Sequence, residues 1–527
     1  MTPSLSTPSV DVGASQSRRD GESNTHGDVE KQNAEKANLA PQEIGTGDHG
    51  DADESDNQRH LVWWDGDNDP ENPYNWPSWR KFTNCACISA FTFLAPLASS
   101  IFAPGVPDLM LDFGETSQQL GTFVVSVYVL GFAVGPMLMA PLSEMYGRVP
   151  VYHVSNLGFV AFNVACALAP SFRSLVAFRF LAGTFGSCPL TNGGGTIADM
   201  IAQERRAGAM AVFSVGPLLG PVLGPVAGGA LQDAKGWRWV FWVVSIASGF
   251  LAAVMAVTMR ESYAPVLLAR RTKRLRKETG DDTLRSRLDD GRTHTEAFRR
   301  AIIRPIKLLI FSPICSIFAL FLMMVYGYLY LLFTTVPFVF EGIYGFSATT
   351  VGLVYLGMGL GSLIGMGWFS VDSNSEVKKK MGTGTDGQGK QMAKPEVRLK
   401  LLPIGALLLP VGFFIYGWTA DFQTHWMAPI VGLTVIGVGN LLCLMAVSMY
   451  LVDAYTLYAA SALAANTIMR SIAGAVLPLC ALDMYNVLGL GWGNSLLGFI
   501  ALAFLPIPFL IGRYGERLRN KFDASRL

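Results

Sequence analysis

The sequence predicts an all-α integral membrane protein with 12 transmembrane helices in two six-helix half-bundles, and three observations predict it. Half of the 527 residues are hydrophobic, only 15% are charged and the mean hydropathy is +0.34, whereas a soluble domain carries about 25% charged residues. Apolar runs of roughly 20 to 27 residues, each long enough to cross about 30 Å of hydrocarbon, recur along the chain. A hydrophilic stretch of about fifty residues separates the sixth run from the seventh, so the runs divide six and six.

Taken in order, residues 1–81 hold 16 acidic and 7 basic residues and little that could form a core. They are expected to be a disordered acidic cytoplasmic tail. No basic start is followed by an apolar stretch, so no signal or transit peptide is read there. The end of this segment, Asn72 to Lys81, sets aromatics and two cations against the first apolar run, as an interfacial anchor would. The runs lie near 82–103, 119–140, 150–169, 174–197, 208–231 and 238–258, an N-terminal bundle over 82–258. After a cytoplasmic central loop at 259–310 come 311–337, 347–369, 400–419, 425–449, 457–483 and 491–513, a C-terminal bundle over 311–513 with a cytoplasmic tail at 514–527.

Charge predicts the orientation. With the N-terminus inside, cytoplasmic segments carry 36 of the 41 Lys and Arg, which places both termini in the cytoplasm. Arg270, Arg271, Lys273, Arg274, Arg276 and Lys277 crowd one short window of the central loop. An amphipathic helix on the anionic inner leaflet would use them, and so would topology alone. Their place between two spans argues against nucleic acid as a partner. The seven cysteines lack ligand or disulfide spacing and read as small core hydrophobes. No redox, metal or cofactor chemistry is indicated. Enzyme motifs are missing as well: there is no phosphate-binding loop, no HExxH and no Gly-x-Ser-x-Gly elbow, so the chain is not expected to be an enzyme.

The fifth run contains a Gly-Pro pair every fourth residue, at Gly216-Pro217, Gly220-Pro221 and Gly224-Pro225, followed by Gly228 and Gly229. Such a ladder would break a soluble helix. In a bilayer, neighbouring helices can take up the carbonyls that the prolines free, and spacing of four lines the glycines on one face for close backbone packing. Between the second and third runs, Ser143-Glu144-Met145-Tyr146-Gly147-Arg148 joins an acid and a base through a tight turn. The pair could latch one half-bundle in one conformation, or be incidental. Arg179 in span 4 and Arg470 in span 11 are cations inside apolar runs, and such residues are costly unless they face protein, water or a counter-ion. Arg179 could instead snorkel to a nearby interface. Arg470 lies four residues after Asn466, which could orient it or bind substrate, while a structural tie to a backbone carbonyl is the competing reading.

No Asp or Glu falls in the middle of a run. Strongly cationic cargo would therefore find little to pair with, and neutral or weakly ionised amphiphilic cargo is expected. Proton coupling would fall to terminal carboxylates, among them Asp199, to His153, or to a carboxylate that competes for Arg179. Tyr128, Phe213, Tyr326, Tyr330, Phe333 and Tyr355, with Asn192 and Asn440 as sparse polar points, could line an apolar cavity, or fill helix contacts.

The loop after span 2 resembles the signature between helices 2 and 3 of the major facilitator superfamily, with Glu144 where an Asp is usual and Gly147 and Arg148 in place. It departs at Ala140, Met145 and Val149. Pro-Leu-Ser-Glu-x-Tyr-Gly-Arg-x-Pro is similar to the fungal drug:proton antiporters with 12 spans, and Gly220-x-x-x-Gly224-Pro225-x-x-Gly228-Gly229 resembles their helix-5 antiporter motif. Arg179-Phe180-Leu181-Ala182-Gly183, Trp237-Arg238-Trp239 and Pro395-Glu396-x-Arg398-Leu399 agree. The resemblance implies the major facilitator fold, alternating access, a part for Arg179 in proton coupling, and a multidrug efflux transporter of the plasma membrane. Its partners would be protons, a small amphiphilic organic substrate and the lipid bilayer, and it is expected to act as a monomer. Import of a polyamine, vitamin or organic acid is the alternative within transport, and a non-transporting membrane sensor the alternative outside it.

Overall fold

The structure, a computed structural model, describes residues 60–66, 68–202, 206–289, 294–381, 395–455 and 459–521. The described residues from Leu61 onward form one compact unit. The first half contains α1 (Ser78–Ser100), α2 (Val106–Phe113), α3 (Gln118–Tyr146), α4 (Arg148–Ala167), α5 (Phe172–Gly186), α6 (Cys188–Met200), α7 (Arg206–Lys235) and α8 (Trp237–Thr258). The linker carries α9 (Ala264–Thr279) and α10 (His294–Phe311). The second half contains α11 (Pro313–Tyr344), α12 (Ala348–Met381), α13 (Leu402–Asp421), α14 (Met427–Tyr455), α15 (Ala459–Phe504) and α16 (Pro506–Lys521). A parallel strand pair, β1 (Leu61–Val62) with β2 (Arg285–Ser286), ties the start of the unit to the linker.

Ten segments among the described residues are long and apolar enough to cross a membrane. Two of the expected runs are hidden in that number. The fourth is divided at Ser187 into α5 and α6, each too short to qualify alone. The last two run on through α15, which breaks at Gly489, where φ of 75° suits glycine and reverses the chain. Several helices are apolar on both faces. In α8, Trp237, Val240, Phe241, Val244, Leu251 and Met255 are buried, while Trp239, Val243, Ile246, Phe250 and Val257 form an exposed apolar stripe. A helix apolar all round belongs in hydrocarbon.

The helices pair by one scheme used twice. In the first half α1 packs on α7, α3 on α5, and α4 on α8; in the second α11 packs on α15, α12 on α14, and α13 on α15. The limb of α15 before Gly489 faces α11, with Gly474 against Tyr326, and the limb after it faces α13, with Gly498 against Phe414. Contact between the halves follows the same two-fold logic: α7 meets α12, and α3 meets α15.

The Gly-Pro ladder explains one seam on each side of α7. A Cβ on Gly216 or Gly220 would stand 3.0 Å from Phe93 N or 2.8 Å from Phe93 O of α1, and one on Gly224 or Gly228 would collide with Ser100 Oγ or Ile101 O. Pro225 has no N–H for the Pro221 carbonyl, and the Ser100 hydroxyl donates to that carbonyl at 3.0 Å. The opposite side of α7 meets α12, where Gly352 lies against Pro225 O and Gly359 against Val222. The close packing expected along the glycine face agrees with this geometry. Gly228→Val is expected to destabilise the bundle by about 1–3 kcal/mol or more through overpacking, read as loss of the monodisperse peak and a lower melting temperature in detergent. Gly249→Ala, with nothing within 4 Å of the new Cβ, should leave both unchanged.

Candidate translocation seam and its buried arginines

Two ends of the bundle can be told apart: the linker end, where α9 and α10 join the halves, and the far end. At the linker end of the first half, Gly147 turns the chain with φ of 101°, and a Cβ there would strike the Glu261 carboxylate. That carboxylate accepts the Arg148 N–H at 2.9 Å and the Val149 N–H at 3.2 Å, capping the start of α4, and also the N–H groups of Ser262 and Tyr263 at 3.1 Å. First-turn N–H groups lack partners within their own helix, and a carboxylate there also complements the helix dipole. The Arg148 side chain donates from Nε to Asp199 at 3.1 Å and from Nη1 to Ser143 at 2.8 Å, with its guanidinium 4.5 Å from the centre of the Tyr263 ring. Ser143 in turn donates to Asn192, whose amide donates to Met139 O.

This network corrects two expectations. The partner of Arg148 is Asp199, not Glu144, which is exposed at the end of α3. Asn192 is a buried tie between α6 and α3 and not a cavity wall. The network ties α3, α4 and α6 of the first half to the start of the linker, so it braces that end of the half. The second half repeats it: Arg398 before α13 pairs with Asp453 near the end of α14 at 2.9 Å, and Glu396 pairs with Arg519 at 3.1 Å.

Arg179 does not snorkel. It is fully buried and donates to Ala98 O at 2.8 Å, Ser99 O at 3.0 Å, Val124 O at 3.2 Å and Val125 O at 3.4 Å, with its guanidinium over the Tyr128 ring at 4.7 Å. Ala98 and Ser99 are in the last turn of α1, where helix carbonyls have no intrahelical donor. The side chain therefore caps α1 and staples it to α3 from α5. Its hydrogen-bond partners are carbonyls, not a carboxylate.

Side-chain contacts between the halves run from mid-depth to the far end. Ser99 meets Tyr330 at 3.0 Å, Ser126 donates to Ala475 O at 2.9 Å, Gln119 bonds Asp483, Asn486 donates to Gln118 at 3.4 Å, and Asp233 accepts the Thr349 N–H at 3.0 Å. Tyr326, Tyr330, Phe333 and Tyr355 form a continuous aromatic ladder with ring centres 5.1–5.6 Å apart. Most of this expected cargo wall is closed packing here. Tyr128 donates to Ala95 O and Tyr355 to Phe333 O, both at 2.8 Å; Phe333 is buried, Phe213 covers Gly193, and Asn440 donates to Val325 O at 3.1 Å. Tyr326 keeps accessible surface, and so does Arg470, stacked on it at 4.9 Å. Asn466 donates to Ala462 O at 2.9 Å and does not hold Arg470.

The segment before α1 differs from its expected character. Leu61, Val62, Asp65, Asp69 and Glu71 pair with the linker. Asp69 is only 5% exposed and accepts N–H groups from Asp65 and Glu71, both at 2.8 Å, and Arg271 Nη1 at 2.6 Å; Arg271 also bonds Asp65, and Arg274 bonds Glu71 at 3.0 Å. Part of the basic window thus serves an intramolecular strap. Residues 1–59 of the predicted tail lie outside the described residues.

A profile of the Major Facilitator Superfamily matches residues 88–478. The chain belongs to the major facilitator superfamily. It is 54% identical to the "MFS-type transporter penM" of Penicillium rubens over 92% of this chain and 95% of that one. It is 48% identical to the "Efflux pump radE" of Floropilus chiversii, over 89% and 87%. The fold is similar to the proton:xylose symporter XylE bound to 6-bromo-6-deoxy-D-glucose, with a TM-score of 0.57 at 17% identity over 85% of this chain and all of that one. A bacterial homologue of the lysosomal transporter Spinster in an inward-facing, occupied conformation scores 0.57 at 14% identity, over 85% and 98%. This superfamily member is a multi-pass membrane transporter and not an enzyme.

Glu261 escaped the sequence reading. Its signal was a lone acid directly after span 6, three residues before a helix that opens with Ala264-Pro265.

Two outcomes are expected at these sites. Arg179→Leu leaves buried carbonyls unpaired and should cost on the order of 3 kcal/mol or more, with Arg179→Lys intermediate, both read by thermal unfolding in detergent. At Asp69, burial raises the carboxyl pKa, but the backbone N–H groups and Arg271 outweigh it and hold the group below its usual 3.8. A depressed carboxylate stabilises above its unfolded pKa and loses that contribution as pH falls through its folded value. Asp69→Asn should therefore lower the melting temperature at pH 7, and the difference from the parent should shrink toward pH 3.

Proposed function

We propose that this transporter exports small amphiphilic organic molecules, such as drugs, toxins or secondary metabolites, from the cell in exchange for protons. It acts as a monomer in the plasma membrane, crossing it twelve times with both termini in the cytoplasm. The observation that carries the reading is the seam: it is sealed from mid-depth to the far end by paired groups from both halves, while Arg470 and Tyr326 keep accessible surface just linker-side of the seal. The excess of Lys and Arg in the linker and terminal segments supports assigning the linker end to the cytoplasm. On that assignment the paired groups of the seam lie toward the external side, which supports loading from the cytoplasm. The similarity to a fungal efflux pump supports the outward direction.

Alternating access then divides the labour. The repeated arginine–aspartate pairs keep each half rigid at its linker end, and the α7–α12 and α3–α15 contacts let one half rock on the other. Proton coupling falls to Asp199, whose protonation would release Arg148, with Glu144 nearby at the mouth of α3. Arg179 positions the α1–α3 contact on which rocking depends.

Expression in a pump-deficient yeast tests this. Accumulation of a panel of fungicides and fungal metabolites should fall several-fold, and a protonophore should restore it. Arg148→Ala, in protein that still reaches the membrane, should slow extrusion about tenfold, equivalent to roughly 1.4 kcal/mol. Uptake in place of extrusion, or extrusion indifferent to the protonophore, overturns the direction or the coupling respectively.

A further inference from the structure

We infer that Arg470 is the docking point for a negatively charged group of the cargo, a carboxylate or enolate on an otherwise apolar molecule. The inference rests on the transport reading and narrows the expected neutral or weakly ionised cargo to an acidic one.

The buried or part-buried arginines of the bundle are otherwise provided for. Arg148 and Arg398 pair with aspartates, and Arg179 is held by four carbonyls. Arg470 has neither. No hydrogen bond or ion pair reaches it from the described residues, and its Nε–H is buried without an acceptor. A cation at mid-depth in a membrane bundle is retained where it meets water or a counter-ion.

Its surroundings cover one face, and the side chain keeps part of its surface accessible. The Tyr326 ring covers one side of the guanidinium at 4.9 Å. Gly474, one turn along the same face of α15, packs against Tyr326, Tyr330 and Val129, so residues of both halves meet on the far side of Arg470. One turn toward the linker end, Asn466 is buried with its Oδ1 unpartnered. A buried acceptor and a buried donor without partners on one helix face are what a missing ligand leaves behind. A guanidinium fork takes a planar, two-oxygen anion, and the Asn466 oxygen takes a hydroxyl or N–H of the same molecule. The aromatic ladder above receives the apolar body.

The test uses the full-length protein in lipid nanodiscs at pH 7.5. The probes are a panel of amphiphilic aromatic and long-chain carboxylic acids, each paired with its neutral methyl ester, and the readout is the thermal shift and its concentration dependence. Acids should stabilise the parent and their esters should not. Arg470→Gln should weaken acid binding at least tenfold at an unchanged unliganded melting temperature, Arg470→Lys should keep part of it, and Asn466→Ala should lose less. If Arg470→Gln does not fold, Tyr326→Leu decides: it should weaken the acids several-fold while still discriminating against esters. The inference is overturned if no acid of the panel binds, if esters bind as well as acids, or if the substitutions change nothing. Should acids bind through Arg470 while cells export no compound, the transport reading fails and the docking point stands; export of neutral compounds undisturbed by Arg470→Gln gives the reverse.

Discussion

In hydrocarbon an unpaired backbone carbonyl costs several kcal/mol, and in this bundle several carbonyls freed by prolines or helix ends take a donor from a neighbouring helix. Proline and helix ends create the demand. Ser100 answers the Pro221 carbonyl that Pro225 cannot serve, Arg179 answers the last turn of α1, and Tyr355 answers the Phe333 carbonyl that Pro337 cannot serve. These donors come from neighbouring helices, so satisfying the backbone also fixes which helices touch. The pairing scheme of each half follows from this chemistry as much as from apolar contact, which in lipid offers little preference between helix and solvent.

Close approach is the second consequence. Where two helices pack without side chains between them, their carbonyls and small hydroxyls come within reach of each other. The glycines of α7 do this on α1, inside one half, and Gly352 and Gly359 of α12 do it on α7, across the halves. The first seam is fastened by Ser100; the second has fasteners such as Asp233–Thr349 near its far end.

Much of this was legible in the sequence because it depends on composition and spacing. The apolar runs fall on helices, and the ladder of α7 packs as its four-residue glycine period requires. The partners of polar residues were not legible, since they are set by three-dimensional pairing. Arg148 chose Asp199, 51 residues away, over nearby Glu144, and Glu261 reaches the start of α4 from 113 residues away. The aromatic set was right as a cluster and wrong as an open wall: in this conformation the tyrosine hydroxyls are engaged by carbonyls and by Ser99. The acidic segment at 61–76 looked unable to fold, yet it orders by pairing with a basic helix that sequence alone could not place beside it.

The arginines show how one side chain takes its role from what surrounds it. Beside an aspartate at a helix mouth, Arg148 and Arg398 are braces, and their appearance at equivalent loops of both halves fits a two-fold repeat. Surrounded by carbonyls and rings, Arg179 becomes a cap whose five donors suit several acceptors at once, which lysine with its compact charge cannot match. Against a tyrosine ring at the edge of the seam, Arg470 has no fixed acceptor among the described residues. The first three roles hold a half together. The fourth adds nothing to packing that an apolar side chain would not supply at lower desolvation cost, so its charge acts on something that enters the seam.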